Sequence, residues 1–377
     1  MSARRPVIAL VSDSILPYHR GGKELRYQEA GRRLARDARV DLYTMRWRDA
    51  PGPMVRDGVT FHAICPRLPL YDGERRSVPQ ALVFALSCLR LMTRRFDVIE
   101  ADHMPYLHLF PLRLVASVRR KRFVVTWHEV WGPEYWRRYM GRRGTLPWGI
   151  ERAATRLPDE IIAASEETGR RLREHVGDTT AVTVAPNGID LDAVRSAPAA
   201  HEPATLVVVG RLMSHKRIDL LLDALAMLRA GGDPVTCRII GDGPERDALH
   251  ERAEALGLDD AVDFHHDVSE QARLYALVKA ARVFVFPSER EGFGIAALEA
   301  LACGLPVVTT SAPDNLAAGL VRDSGHGVVC APNARALADA VSGVLAEPDT
   351  RGGEADAWIS RHDWDAVSDT VMERVLA

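Results

Sequence analysis

Val283-Phe284-Val285-Phe286-Pro287-Ser288-Glu289-Arg290-Glu291-Gly292-Phe293-Gly294-Ile295-Ala296-Ala297-Leu298-Glu299 is the stretch on which the reading of this chain turns. The apolar run 283–287 predicts a buried strand, since a strand covered on both faces has no polar alternation. A helix is expected to open at about Ile295 and to continue through Cys303. Gly292 and Gly294 fall in the turn between them. Glycine lets a backbone approach a ligand closely, and the first N–H groups of a helix face whatever lies there. Glu291 stands at the mouth of the turn and Glu299 one or two turns into the helix. Carboxylates on either side of a glycine-rich helix start suit a ligand that is both hydroxyl-rich and anionic.

Working outward, the same strand–loop–helix unit recurs. Residues 205–209, 237–240, 262–265, 306–309 and 327–329 read as further strands, and 218–229, 269–280 and 335–345 as helices. This alternation predicts a doubly wound domain over 204–356, whose ligands bind beyond the carboxyl ends of its strands. Two of those ends carry chemistry besides the opening stretch. Gly210-Arg211 is followed by Lys216, and two permanent cations five residues apart suit a diphosphate. Gly241-Asp242-Gly243-Pro244-Glu245 supplies a second close-approach backbone.

With 377 residues the chain exceeds one hydrophobic core, so a second domain is expected over 1–195, joined through a linker-like stretch, 196–204. It opens on a strand, 7–11, followed by Gly21-Gly22 and a helix, 23–36. No Gly-x-Gly-x-x-Gly is present, so a dinucleotide fingerprint is absent. His128 follows the strand 123–126, which places it in the crevice of an open α/β sheet. The aromatic-rich segment after it, Trp131, Tyr135, Trp136 and Tyr139, reads as a loop that is either a sugar- or headgroup-stacking surface or a packed lid. Helix 79–92 sets Leu82, Leu86, Leu89 and Met92 at helical spacing, and packing into the core is favoured over an interfacial membrane role. The run Arg119-Arg120-Lys121-Arg122 reads as a solvated helix end. Asp190-Leu191-Asp192 formally matches a metal-binding Asp-x-Asp, but it sits in a turn with no second ligand cluster nearby, and no metal is assigned. An amphipathic stretch, 358–376, has no strand of its own.

Net charge is −2, yet residues 1–190 carry +10 and 191–377 carry −12. The basic half suits an anionic lipid surface or a phosphorylated acceptor, or simply reflects solvated arginines. No nucleic-acid motif accompanies it. Five scattered cysteines without Cys-x-x-Cys spacing fit a reducing compartment. The apolar run after Arg5 is too short for a signal peptide, and 81–92 is too interrupted to span a bilayer, so a cytoplasmic protein is expected.

These motifs, in this order and spacing, resemble glycosyltransferase family 4, the glycosyl transferases group 1. Gly21-Gly22, His128, Pro186-Asn187-Gly188-Ile189-Asp190, Gly210-Arg211 with Lys216, Gly241 to Gly243, and Glu291 with Glu299 carry the likeness. Glu129 departs from it, since the family often has Asp after the histidine. The resemblance implies the GT-B fold, two Rossmann-like doubly wound domains facing across a cleft, with residues 357–377 crossing back onto the first. It implies a retaining hexosyltransferase of carbohydrate biosynthesis that takes a nucleotide diphosphate-sugar as donor and needs neither cofactor nor metal. Arg211 and Lys216 would hold the diphosphate, and Glu299 the ribose. Glu291 with Gly292, Phe293, Gly294 and the helix start at Ile295 would hold the sugar. Gly21, Gly22, Gly210, Gly241 and Gly243 would supply backbone, and His128 would meet the sugar near the reacting carbon. The acceptor is expected to be a sugar, a lipid-linked or a small-molecule hydroxyl, with peripheral contact to an anionic inner membrane face. A nucleotide-sugar epimerase and a catalytically inactive sugar-nucleotide-binding protein are the alternatives.

Overall fold

The computed structural model describes residues 4–19, 21–49, 52–72, 75–176, 180–347 and 353–376. They divide into two compact units, residues 1–187 with 364–377 and residues 188–363.

The first unit is built on one sheet. Its strands are β1 (Val7–Val11), β2 (Arg39–Met45), β3 (Met54–Arg56), β4 (Val59–Cys65), β5 (Val98–Asp102), β6 (Arg122–Trp127), β7 (Glu160–Ala163) and β8 (Ala181–Val184). They lie in the order β8-β7-β6-β5-β1-β2-β4-β3, parallel except for β3. β1 and β5 are buried at every position, as expected of central parallel strands covered on both faces. Register sets the crest. Val11 pairs with Ala101, Asp102 with Thr126, and Trp127 with Ala163. Asp13, Asp102 and His128 therefore stand at, or one or two residues beyond, neighbouring strand ends.

Two expectations for this unit need correction. The helix expected over 79–92 is α-helical only at Val78–Ser87 and continues as a 3-10 turn, Cys88–Thr93. Its buried stripe is Ala81, Phe84, Ala85, Cys88 and Leu91, whereas Leu82, Leu86 and Leu89 are exposed. The segment carries two apolar stripes, so apolar periodicity alone had two solutions, and the one holding the aromatic ring won the core. The aromatic segment is not a loop but the helix Gly132–Met140. Trp131, Trp136 and Tyr139 pack on one another, and the buried Glu151 carboxylate accepts from Trp136 Nε1 at 2.7 Å and Trp131 N at 2.9 Å.

The second unit holds β9 (Ala204–Val209), β10 (Cys237–Ile240), β11 (Val262–His265), β12 (Ala281–Phe286), β13 (Val307–Thr310) and β14 (Gly327–Cys330), all parallel, in the order β11-β10-β9-β12-β13-β14. The boundary between the units falls at Asn187, not 195, and the stretch 196–204 is no free linker. Ile189, Leu191 and Val194 sit in the second unit's core. Lys279 Nζ donates to the carbonyls of Val194 and Ala197 at 2.5 and 2.6 Å, satisfying the end of the helix Leu191–Ser196. Asp190 is that helix's N-cap, its Oδ1 accepting from Ala193 N at 2.9 Å, which accounts for the Asp-x-Asp string locally. The expected helix 358–376 is two. Gly353–Ser360 belongs to the second unit and Trp364–Leu376 to the first, where Val371 and Val375 join the core and Asp365 pairs with Arg33 at 2.5 Å.

Candidate active site

The opening stretch folds as expected, with β12 ending at Phe286 and a helix, Ile295–Ala302, beginning after Gly294. The turn between them is bolted to β13. Thr309 Oγ1 donates to Phe286 O at 2.7 Å, Thr310 Oγ1 to Ser288 O at 3.0 Å, and Asn315 Nδ2 to Thr310 O at 2.9 Å. Gly294 has φ +93°, and a Cβ there would lie 2.6 Å from Ala317 Cβ, so both conformation and space require glycine.

Glu291 and Lys216 form an ion pair through Glu291 Oε1, which also accepts from Ser288 Oγ at 2.9 Å. Lys216 Nζ also stands 5.1 Å from the Phe286 ring centroid. The backbone joins the same two loops, Glu289 N donating to His215 O at 2.8 Å. His215 adjoins three cations. Burial first, then the charges of Arg290, Lys216 and Arg211, push its pKa down to about 3, so the ring is neutral. Arg211 is exposed at this edge.

Val209 pairs with Ile240, so Gly210 and Gly241 leave their strands side by side. A Cβ on Gly241 would come 1.9 Å from Gly210 O, and one on Gly243 2.3 Å from Leu212 O. The room these glycines make is taken by the neighbouring loop's backbone, not left open toward a ligand as the sequence suggested. Glu299 is half-buried, and its Oε1 accepts from Gln271 Nε2 at 2.8 Å and Tyr275 OH at 3.0 Å. Burial raises its pKa to about 7, against those two hydrogen bonds.

Gly210, Arg211, Lys216, Gly241, Gly243, Glu291 to Ile295 and Glu299 thus belong to the second unit, and Gly21, Gly22 and His128 to the first. The first unit's crest holds more chemistry than the sequence indicated. Gly22 begins the helix Gly22–Asp37, and Lys23 is clamped between Asp13 Oδ1 at 2.7 Å and Asp102 Oδ2 at 2.8 Å. Arg76 Nη2 lies 2.9 Å from Asp13 Oδ2, and Gln80 Nε2 donates to the same oxygen at 3.1 Å. Burial opposes ionisation of both aspartates. Arg76 and Lys23 hold Asp13 below the usual carboxylate range, and Lys23 with His103 holds Asp102 far below it. A Cβ on Gly21 would lie 2.7 Å from Glu24 Oε2, so this glycine makes room for that carboxylate.

His128 is half-buried, with Nε2 sealed from solvent and without a hydrogen-bond partner among the described residues. Burial drives its pKa well below the ordinary value, so the ring is neutral. Sequence reading missed Arg290, His215, Lys23, Asp13 and the pair Asp102-His103. The strand-end rule that found His128 applies equally to Asp102, the last residue of its strand, and to Asp13, two residues beyond its own.

Two family models match in tandem. Residues 20–193 match Glycosyltransferase Family 4, and residues 192–360 match Glycosyl transferases group 1. The chain belongs to this glycosyltransferase family. It is 36% identical over 207 residues to the GDP-mannose-dependent alpha-(1-6)-phosphatidylinositol dimannoside mannosyltransferase of Mycobacterium tuberculosis, with 52% of each chain covered. It is 29% identical over 284 residues to the GDP-mannose:cellobiosyl-diphosphopolyprenol alpha-mannosyltransferase of Xanthomonas campestris, covering 72% of this chain and 71% of that one. The first of these matches spans about half the length of the relative. Among solved structures, the alpha,alpha-trehalose-phosphate synthase (UDP-forming) of Burkholderia xenovorans superposes with a TM-score of 0.78 at 14% identity, covering 99% and 100% of the two chains. That likeness shows the GT-B fold.

Proposed function

We propose that the protein transfers a hexose from a nucleotide diphosphate-sugar to an acceptor hydroxyl with retention at the anomeric carbon. The Lys216–Glu291 pair, set among Arg211 and Arg290 at a glycine turn, is the observation that carries this reading. Cleaving a glycosyl–phosphate bond puts negative charge on the leaving diphosphate and positive charge on the sugar. Fixed cations aimed at the diphosphate stabilise the first of these. In this reading Arg211 and Lys216 hold the diphosphate, Glu291 with the 292–295 backbone the sugar, and Glu299 the ribose. The arginines and lysine supply the charge that a divalent metal would otherwise bring, so neither metal nor cofactor is required. His128, a neutral imidazole whose Nε2 has no hydrogen-bond partner among the described residues, is assigned to a sugar hydroxyl.

Both relatives named above use GDP-mannose and act on lipid-linked acceptors by their names, which makes GDP-mannose the first donor to test and a lipid-linked hydroxyl the first acceptor. That acceptor class and the +10 charge of residues 1–190 support peripheral attachment to an anionic inner membrane face of the cytoplasm. A thermal-shift panel of GDP-, UDP-, ADP- and TDP-sugars identifies the donor, and product analysis with and without acceptor then tests transfer. Transfer that requires acceptor and disappears in Lys216→Ala and Glu291→Ala is expected. Full activity in both variants, or an epimerised donor formed without acceptor, would overturn the assignment.

A further inference from the structure

The helix layer of the first unit carries an apolar face that the core does not use. On the segment Val78–Ser87 and its 3-10 continuation, Leu82, Leu86 and Leu89 point outward, and Leu86 is 68% exposed. On the helix Leu109–Arg119, Phe110, Leu114 and Val118 recur every four residues, the last two 53% and 60% exposed. The two segments touch each other. Right-handed crossovers from β4 to β5 and from β5 to β6 put both on the same face of the sheet. The two stripes therefore form one patch, where a helix covering a soluble core would normally turn polar residues outward.

Its charge is one-sided. Residues 78–95 and 103–122 contain no aspartate or glutamate. Arg94, Arg95, Arg119 and Arg120 are exposed where the two segments end. Arg119 joins those ends, donating to Met92 O at 3.1 Å and Arg94 O at 3.3 Å, so the arginines form one cluster at one end of the patch. Among the described residues no helix is long and apolar enough to cross a membrane.

We propose that this helix pair is the surface by which the protein seats on an anionic lipid bilayer. The leucine–valine face enters the acyl boundary, and the arginine end meets the anionic headgroups. A second copy of the same face would offer these arginines no anion, since 78–95 and 103–122 hold no carboxylate, whereas an anionic bilayer presents a dense layer of headgroup phosphates. The inference gives a location to the peripheral attachment proposed above and does not depend on sugar transfer.

The test is co-sedimentation of the whole protein with phosphatidylglycerol/phosphatidylcholine vesicles and with phosphatidylcholine alone, at low and high salt. Binding to the anionic vesicles at low salt that weakens as salt rises is expected. Arg94→Gln/Arg95→Gln/Arg120→Gln should lower the partition coefficient by about a hundredfold, at about fivefold per cation near the surface. Leu86→Ser/Leu114→Ser should lower it at every salt concentration while leaving donor-induced thermal shifts unchanged, since both side chains are exposed. Absence of binding to anionic vesicles at low salt, or binding that neither variant weakens, would overturn the proposal. A dimer in sedimentation velocity that Leu86→Ser/Leu114→Ser dissolves, with no vesicle binding, would assign the face to a second copy instead. Donor binding without vesicle binding counts against this surface alone, and vesicle binding without transfer counts against the enzymatic reading alone.

Discussion

Lys216 and Glu291 stand 75 positions apart in sequence yet share one ion pair, on the same Glu291 oxygen that takes the Ser288 hydroxyl at 2.9 Å. The pair joins the loop after β9 to the turn after β12. Lys216→Ala removes the cation proposed to meet the diphosphate and also leaves Glu291 without its partner. A loss of about 100-fold or more in kcat/KM is expected, the scale of removing one preorganised electrostatic group. Glu291→Gln in the Lys216→Ala background should cost less than Glu291→Gln alone, because contacting residues are not additive. Equal costs in the two backgrounds would mean that the residues act independently.

The buried trio Asp13, Lys23 and Asp102 gives a stability prediction. Lys23→Met removes the cation between two buried carboxylates while Arg76 still serves Asp13. Stranding a buried charge costs about 3–5 kcal/mol, which for a unit of this size lowers Tm by about 10 °C. Both aspartates are shifted downward, so their stabilising contribution is present above the ordinary carboxylate value of 3.8 and is lost as pH falls below it. The aspartates' contribution to wild-type stability should therefore be lost on the acid side of 3.8, and Lys23→Met should lose less there. Thermal melts across pH 2–7 (roughly the span over which carboxylates titrate) check both.

Much of this was legible because parallel strands are continuous apolar runs and ligand chemistry follows their carboxyl ends. Val207, Phe284 and Val125 announce buried strands by composition alone, and Arg211, Gly292 and Gly294, and His128 come just after those strands. What escaped has physical causes. An apolar stripe normally faces inward, which places Leu82 and Leu86 in the core, yet Phe84 and Cys88 offer a competing stripe on the same segment. Gly241 suggests room for a ligand, whereas the space holds the Gly210 carbonyl, a contact between loops 31 residues apart that no local pattern encodes. Asp102 acquires its meaning only through Lys23, which sequence places in a different unit of strand, loop and helix.

The glycines separate conformational freedom from space. Gly241→Ala forces a Cβ to within 1.9 Å of a backbone oxygen that belongs to a strand end, and neither side yields easily. A loss of about 2–4 kcal/mol, seen as a lower Tm of the donor-binding unit, is expected. Gly319 lies inside the helix Ala317–Ser324 with nothing within 4 Å of its Cβ position. Gly319→Ala should raise stability by about 0.5–1 kcal/mol. The two variants are compared in the same denaturation assay, and similar effects would refute the steric account.

Glu299 gives a pH dependence of known sign. Its folded pKa of about 7 lies above the ordinary 4.5, so the folded protein binds more protons than the unfolded chain between those values. Stability therefore falls as pH rises from about 4.5 to 7 and is level above, with the buried Glu100, also raised to about 7, adding a contribution of the same sign. Donor affinity should move the other way. A carboxylate accepts two ribose hydroxyls better than a carboxylic acid does, so KM for the donor should improve as pH rises through about 7. Glu299→Gln removes the titration but keeps the shape of the side chain. It should flatten the KM profile and weaken donor binding above pH 7 by about tenfold, the loss of one charge-assisted hydrogen bond. Because Glu100 still titrates, the stability profile of Glu299→Gln should be shallower than wild type without becoming flat. A KM profile that stays as steep in Glu299→Gln as in wild type would remove Glu299 from the ribose and leave it to Tyr275 and Gln271.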